Sequence, residues 1–322
     1  MIELLVALVI GSFLMIGAVT VFMQSRTTFR VNDSVSRLQE NARFVLDAIE
    51  PDIRMASYFG LTTLSSKIAN SATPLEPIPA GLGVGGDCGQ NWTINLTSEV
   101  GGTNNGYGWA CAAFGGAQPQ ADTLVIHRTT EDPIPVLQAG TMYVQSARFW
   151  DSQIFVGNAV PPGMPAVGTQ SHALMVSGYY VSQNSALDTP GNPVPSLRMK
   201  TLVGGGPGPR IVDQEVLAGV EDLQVQFGVD TDLIGAPNRG SIDRYVNPGD
   251  PIITPGNLAF LPDAQIIAVR VWLRVRTERP ENGQIDNANY VYADQNVQAF
   301  NDQFRRTVVT KTIYLRNGRG PT

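Results

Sequence analysis

The chain has 322 residues, enough for one large domain or two ordinary ones. Apolar residues make up 43% and charged residues 16%, too apolar a mix for a disordered chain, and Gly (33) and Pro (22) follow no collagen-like period. A formal net charge of −6 argues against a general nucleic-acid binder, and two His with two Cys show no zinc-ligand spacing.

The composition changes along the chain. Residues 4 to 23 run from Leu4 to Met23 without a charge. As a helix this run rises about 30 Å, enough to cross the hydrocarbon core of a bilayer. Glu3 stands at its N-terminal edge, and Arg26 and Arg30 follow it. No basic segment precedes the run and no small-residue cleavage site follows Met23, so it reads as an anchor rather than a secretory signal.

Residues 24 to 59 contain no Gly and a single Pro, Pro51. Phe29, Val31, Val35, Leu38, Ala42, Val45, Ile49, Ile53 and Ala56 recur mostly at steps of three or four, the signature of one helical face. Asp33, Arg37, Glu40, Arg43, Asp47, Glu50 and Arg54 fill the other face. The spacing predicts one helix of about 57 residues, roughly 85 Å long. Its first half is apolar all round and its second half must lie on the body that follows. Pro51 predicts a kink or break near residues 47 to 51, and Gly60 is the expected C-terminal stop.

Residues 61 to 120 are rich in Gly, Ser, Thr, Asn and Pro and read as a long irregular connection. Cys88 and Cys111 fall inside it. Outside the cytoplasm they are expected to pair, closing a loop worth about 3 kcal/mol; two buried thiols are the alternative. Sequons at Asn91 and Asn95 carry meaning only in a host that glycosylates them. Strand patterns follow at 122–129, 173–182, 216–229, 266–276 and 306–316. The clearest is 266–276, where Val269, Val271, Leu273 and Val275 alternate with Arg270, Trp272, Arg274 and Arg276. Such runs predict an antiparallel sheet with one face covered, and the amphipathic half-helix is its natural cover. The expected class is α+β. The expected layout is an apolar helix at 1–24, its amphipathic continuation at 25–60, a loop-rich connection at 61–120 and a sheet domain at 121–322.

Catalytic chemistry finds little support. Gly81 to Gly86 match G-x-G-x-x-G, but Pro77 and Pro79 precede the motif and Asp87-Cys88-Gly89 follow it, so the strand and helix of a dinucleotide site are missing. His127 and His172 lie in or beside strand patterns with no nucleophile motif, and read as surface or packed strand residues. Glu131-Asp132 and Glu221-Asp222 are ordinary neighbours in an acidic chain. Two groups of acids and amides are calcium candidates: Asp230, Asp232 and Asp243, and separately Asp286, Asn287, Asn289 and Asp294. Leu233-Ile234 interrupts any EF-hand spacing, and turn chemistry accounts for both groups equally well. No catalytic constellation, cofactor or nucleic-acid partner is expected.

Glu3 carries more weight. A carboxylate at the head of an apolar helix is costly in lipid and needs a cationic partner, such as the α-amine of its own or a neighbouring, staggered chain. Ala7 and Gly11 form a small-xxx-small pair that allows close helix approach, and Gly17 weakens the helix locally.

The run Met1-Ile2-Glu3-Leu4-Leu5-Val6-Ala7-Leu8 resembles the start of a mature type IV pilin or pseudopilin. Members of that family are made with a short basic leader ending in Gly, and Glu3 matches their near-N-terminal Glu. The resemblance implies that a leader and two further residues precede Met1, and that the mature first residue is N-methylated. Four later stretches resemble PilW-type minor pilins: Asn41–Gly60, Val220–Asp230, Ala268–Leu273 and Arg305–Asn317. In that type the Asp230/Asp232 loop is richer in Asp and Gly, so Leu233–Pro237 argues against a metal there. The resemblance implies a pilin-like fold. It implies a subunit anchored in the inner membrane with its domain in the periplasm, then extracted into an extracellular pilus. Other pilins, membrane lipid and the assembly machinery are the implied partners, and initiating or building the filament the implied role. A type II secretion pseudopilin, a main repeating subunit and a tip adhesin stay open as alternatives.

Overall fold

The structure is a computed structural model that describes residues 2–97, 100–165 and 167–317. Met1, on which the N-terminal motif begins, lies outside the described residues, as do residues 318–322 of the expected sheet domain.

Helix α1 spans Ile2–Arg54 as one element of 53 residues, about 80 Å long. It carries Pro51 without the break that was one of the two expected outcomes there. The carbonyl of Asp47 loses its donor, but only three residues of helix remain beyond the proline. Met55 N–H still donates to Pro51 O at 3.1 Å. The helix ends at Arg54 rather than near Gly60. Ser57 takes the left-handed conformation (φ 59°) and turns the chain, with its N–H given to His127 O at 3.1 Å. Gly60 serves a close approach of loop to strand instead, since a Cβ there would collide with Ser146 Oγ and the His172 ring.

The strands follow in chain order. β1 (Ile68–Ala69) and β2 (Val100–Gly101) are short. β3 (Leu124–Thr129), β4 (Met142–Ala147), β5 (Ser152–Val156), β6 (Thr169–Ser182), β7 (Ser196–Val203) and β8 (Arg210–Ala218) complete a first sheet. β9 (Val220–Asp230), β10 (Arg244–Val246), β11 (Gln265–Arg276) and β14 (Arg306–Tyr314) form a second sheet in the order β10-β9-β11-β14. Between β11 and β14, β12 (Tyr290–Tyr292) and β13 (Gln295–Val297) make a small hairpin. Among the described residues every strand-to-strand pairing is antiparallel except β1 with β5.

Two sheets therefore stand where one was expected. The divide is Gly219, which splits the predicted 216–229 strand. Its φ is +89° and a Cβ there would come 2.8 Å from Arg276 O. The strands on its two sides join different sheets. β6 is the spine of the first sheet: Thr169–Ala173 pair with β4 and Ser177–Ser182 with β7.

Two cores result. The larger lies between α1, the second sheet and the adjoining strands of the first. Val45, Ile49 and Ile53 of α1 meet residues such as Leu223, Val271 and Ile313, all nearly inaccessible to solvent. Each such side chain contributes about 1.5–3 kcal/mol by burial. The smaller core joins Phe59, Ile68, Leu82 and Ile94 from the connection to Met142 and Val176 of the first sheet.

Candidate assembly surface

The protruding half of α1 is an apolar rod that no other described residue covers. Phe13 and Leu14 are 71% exposed, and the helix is long and apolar enough to cross a membrane. Its hydroxyls are internally satisfied: Ser12 donates to Val9 O at 2.8 Å and Thr20 to Gly17 O at 2.8 Å. Such back-bonding removes the cost of carrying a hydroxyl into hydrocarbon. Glu3 sits in the first turn, where a carboxylate also meets the positive end of the helix dipole. Ala7 and Gly11 lie one turn apart, with open space around Gly11 and around Gly17.

The other half is fastened to the body. Leu38, Ala42, Val45, Leu46, Ile49 and Ile53 are buried at helical spacing. Asp52 is buried on that same stripe, a charge where the period asks for an apolar residue. Arg128 donates to its Oδ1 from Nε at 2.9 Å and Nη2 at 2.7 Å, and Tyr179 Oη donates to its Oδ2 at 2.7 Å. Burial, then the Asp52 charge, pushes the Tyr179 phenol far above its ordinary value. Lys311 on β14 reaches Glu50 at 2.6 Å and Asp47 at 2.9 Å, and these bonds raise its ammonium. Ser34 donates to Glu281, and Arg316 N–H donates to Arg54 O at 3.0 Å. Sequence reading missed the Asp52 anchor. The signal was an acid between Ile49 and Ile53 on the buried face.

Cys88 and Cys111 form a disulfide. It closes the connection beneath an aromatic cluster in which Trp109 lies 5.5 Å from Trp92 and 5.0 Å from Tyr107. The loop is clamped to β7 by Lys200, which donates to Ala112 O at 2.7 Å and pairs with Asp213 at 2.8 Å. Burial opposes ionisation of Asp213, but bonds from Lys200, Tyr180 and Arg198 hold its carboxyl below the usual range.

The other candidates disperse or are turned inward. His127 and His172 are both buried. Burial pulls the His127 imidazole down to about 4, with Nε2 on Trp92 O at 3.0 Å. The Gly81–Gly86 segment is irregular, with turns at Gly81 and Gly86 and a bridge to Arg210 through Gly85, and no helix opens directly after it. The Asp286–Asp294 group is divided. Asp286 binds Arg306 at 2.8 Å and the phenol of Tyr290, whereas Asp294 takes Asn247 at 2.7 Å and Asn105 at 3.1 Å. Asp230, Asp232 and Asp243 do converge, with ligand atoms within 4.8 Å of one another. Their oxygens are partly engaged by the main chain: Asp232 N–H donates to Asp230 at 2.9 Å and Thr231 N–H to Asp243 at 2.7 Å. Lost hydration, then the Asp243 and Asp230 charges, raises the Asp232 carboxyl. Among the described residues this is the one acidic group whose carboxylate oxygens come together, and turn N–H groups already share those oxygens.

Residues 178–317 match the family model for Type IV Pilus-assembly protein W (PilW). This match supports the pilin resemblance drawn from the N-terminal residues, and it rests on a different part of the chain. A type IV-like pilin from Thermus thermophilus is similar in structure at 17% sequence identity and a TM-score of 0.29, over 63% of this chain and 83% of that one. No curated protein matches the chain.

Proposed function

We propose that this chain is a structural subunit of a type IV pilus, a PilW-type minor pilin that helps initiate or build the filament. The observation that carries this reading is α1 itself: an uncovered apolar half with a lone Glu3, continuous with a half locked to the sheet domain through Asp52 and Arg128. The PilW match over residues 178–317 supports it from the other end of the chain. In this reading α1 sits in the inner membrane with the body in the periplasm, and moves intact into the bundle of helices at the filament core. Glu3 meets a neighbouring N-terminal amine, Ala7 and Gly11 admit a neighbouring helix, and Gly17 is where α1 stretches. The body is scaffold rather than enzyme, and needs no cofactor.

The test is quantitative mass spectrometry of sheared filaments, for wild type and Glu3→Ala. A few copies per filament are expected, with the Glu3→Ala chain left in the membrane. A dominant copy number would make it the main repeating subunit. Absence of the wild-type chain from filaments would overturn the reading in favour of a pseudopilin or an anchored adhesin.

A further inference from the structure

The second sheet has one closed and one open edge. On the β9 side, β10 pairs with Phe227–Val229, and Asp122 takes over where β10 ends: its N–H donates to Leu223 O and its carboxylate accepts from Val225 N–H, each at 2.8 Å. On the other side β14 pairs with β11 through nine residues without a register shift. Leu315 N–H points to Ile267 O, which sets the alternation: main-chain groups of the odd-numbered residues face β11 and those of the even-numbered residues face away. The N–H and C=O groups of Val308, Thr310, Thr312 and Tyr314 therefore point outward over about 20 Å. Among the described residues no hydrogen bond reaches them, and Thr310 and Tyr314 are exposed.

Native proteins guard such edges with Lys, Pro, bulges or short strands. Here the guards are missing. β14 has no Pro, no Gly and no bulge. Its two cations are engaged elsewhere: Lys311, a third exposed, is drawn onto Asp47 and Glu50 of α1, and Arg306 lies inward on Glu221, Asp286 and Asp302 with a side chain 1% exposed. By contrast the other long edge, β8, is bridged at its start by Gly85, and its Glu215 accepts from Ala186 N–H.

We propose that the outer edge of β14 receives an extended strand of a neighbouring pilin subunit, which adds to the β10-β9-β11-β14 sheet by main-chain hydrogen bonds. This rests on the filament reading above. The occupant is an extended segment because the edge offers alternating donors and acceptors and neither an apolar groove nor unpaired charge. β14 runs in the same direction as α1: Lys311 meets Asp47 and Glu50, and Arg316 meets Arg54. In a filament of like-oriented subunits two copies of β14 would lie parallel and cannot form a two-fold antiparallel pair, so the added strand comes from a different element of the neighbour.

The test is residue-resolved amide hydrogen exchange on the full chain, in detergent and in sheared filaments. In detergent the amides of Thr310, Thr312 and Tyr314 exchange fast and those of Val309, Lys311 and Ile313 slowly. In filaments the even-numbered amides are expected to slow by at least about tenfold. Thr310→Pro, which removes an outward N–H and leaves the bonds to β11 in place, is expected to stay close to the wild-type melting temperature in detergent and to lose incorporation by a similar factor. Filaments that contain the chain with the even-numbered amides still fast overturn the strand addition and leave the filament reading intact. A chain absent from filaments overturns both.

Discussion

The Asp52 carboxylate receives Arg128 through one oxygen, at 2.7 and 2.9 Å, and the Tyr179 phenol through the other, at 2.7 Å. This buried pair joins the last turn of α1 to β3 and β6. It fixes the helix to the sheet domain at a point where helix propensity alone would leave a fraying end. Removing one partner strands a charge in the core, which costs about 3–5 kcal/mol. Asp52→Ala is therefore expected to unfold the body at markedly lower denaturant, and Asp52→Asn to fall between it and wild type. Chemical unfolding of the full chain in detergent checks this, and an Asp52→Ala midpoint equal to wild type would refute the anchor.

The disulfide should matter through the unfolded chain. Cys88 and Cys111 are 23 residues apart, so the bond constrains a loop worth about 3 kcal/mol. The double Cys→Ser variant is expected to melt several degrees lower and to be nicked by protease between residues 89 and 110. Limited proteolysis with and without reductant reads this directly. Equal resistance in both would mean that the Lys200 clamp on Ala112 holds the loop unaided.

Asp122 gives a pH dependence of unusual sign for an acid. Burial, aided by Asp294 and Asp222, pushes its carboxyl up to about 7, against the hydrogen bonds from Asn105 and Val225. The folded state then holds a proton that the unfolded state releases near 4. Its stabilising contribution is full below pH 4 and is lost as pH rises toward 7, by about 1.4 kcal/mol per unit. Melting curves between pH 4.5 and 8 are expected to show this decline for wild type and a flatter course for Asp122→Asn. Parallel curves would exclude Asp122 as the cause.

Calcium is expected to leave the melting temperature unchanged at millimolar concentration. Asp230 and Asp243 already accept main-chain N–H groups, and Arg239 donates to Asp232 O and Asp263 O beside them. A rise of several degrees, abolished by Asp232→Asn, would instead assign a cation to this loop.

Local periodicity made much of the molecule legible. The apolar run, the amphipathic stripe from Leu38 to Ile53 and the alternation at 266–276 follow from spacing alone, because a helix repeats near 3.6 residues and a strand at 2. With two cysteines in the chain, one intramolecular pairing was available. What periodicity carries no information about is which element lies next to which. Val216–Val229 reads as one strand pattern, yet Gly219 sends its halves to different sheets. Asp286 and Asp294 are near in sequence, yet one serves Arg306 and the other Asn247. Asp52 reads as a polar interruption until Arg128, 76 residues away, neutralises it. The open edge of β14 is likewise invisible in sequence, since it depends on where Lys311 and Arg306 point. Hydrophobic spacing is a property of neighbours along the chain. The pairing of charges and of main-chain edges is decided by distance in space, and only the packed fold sets it.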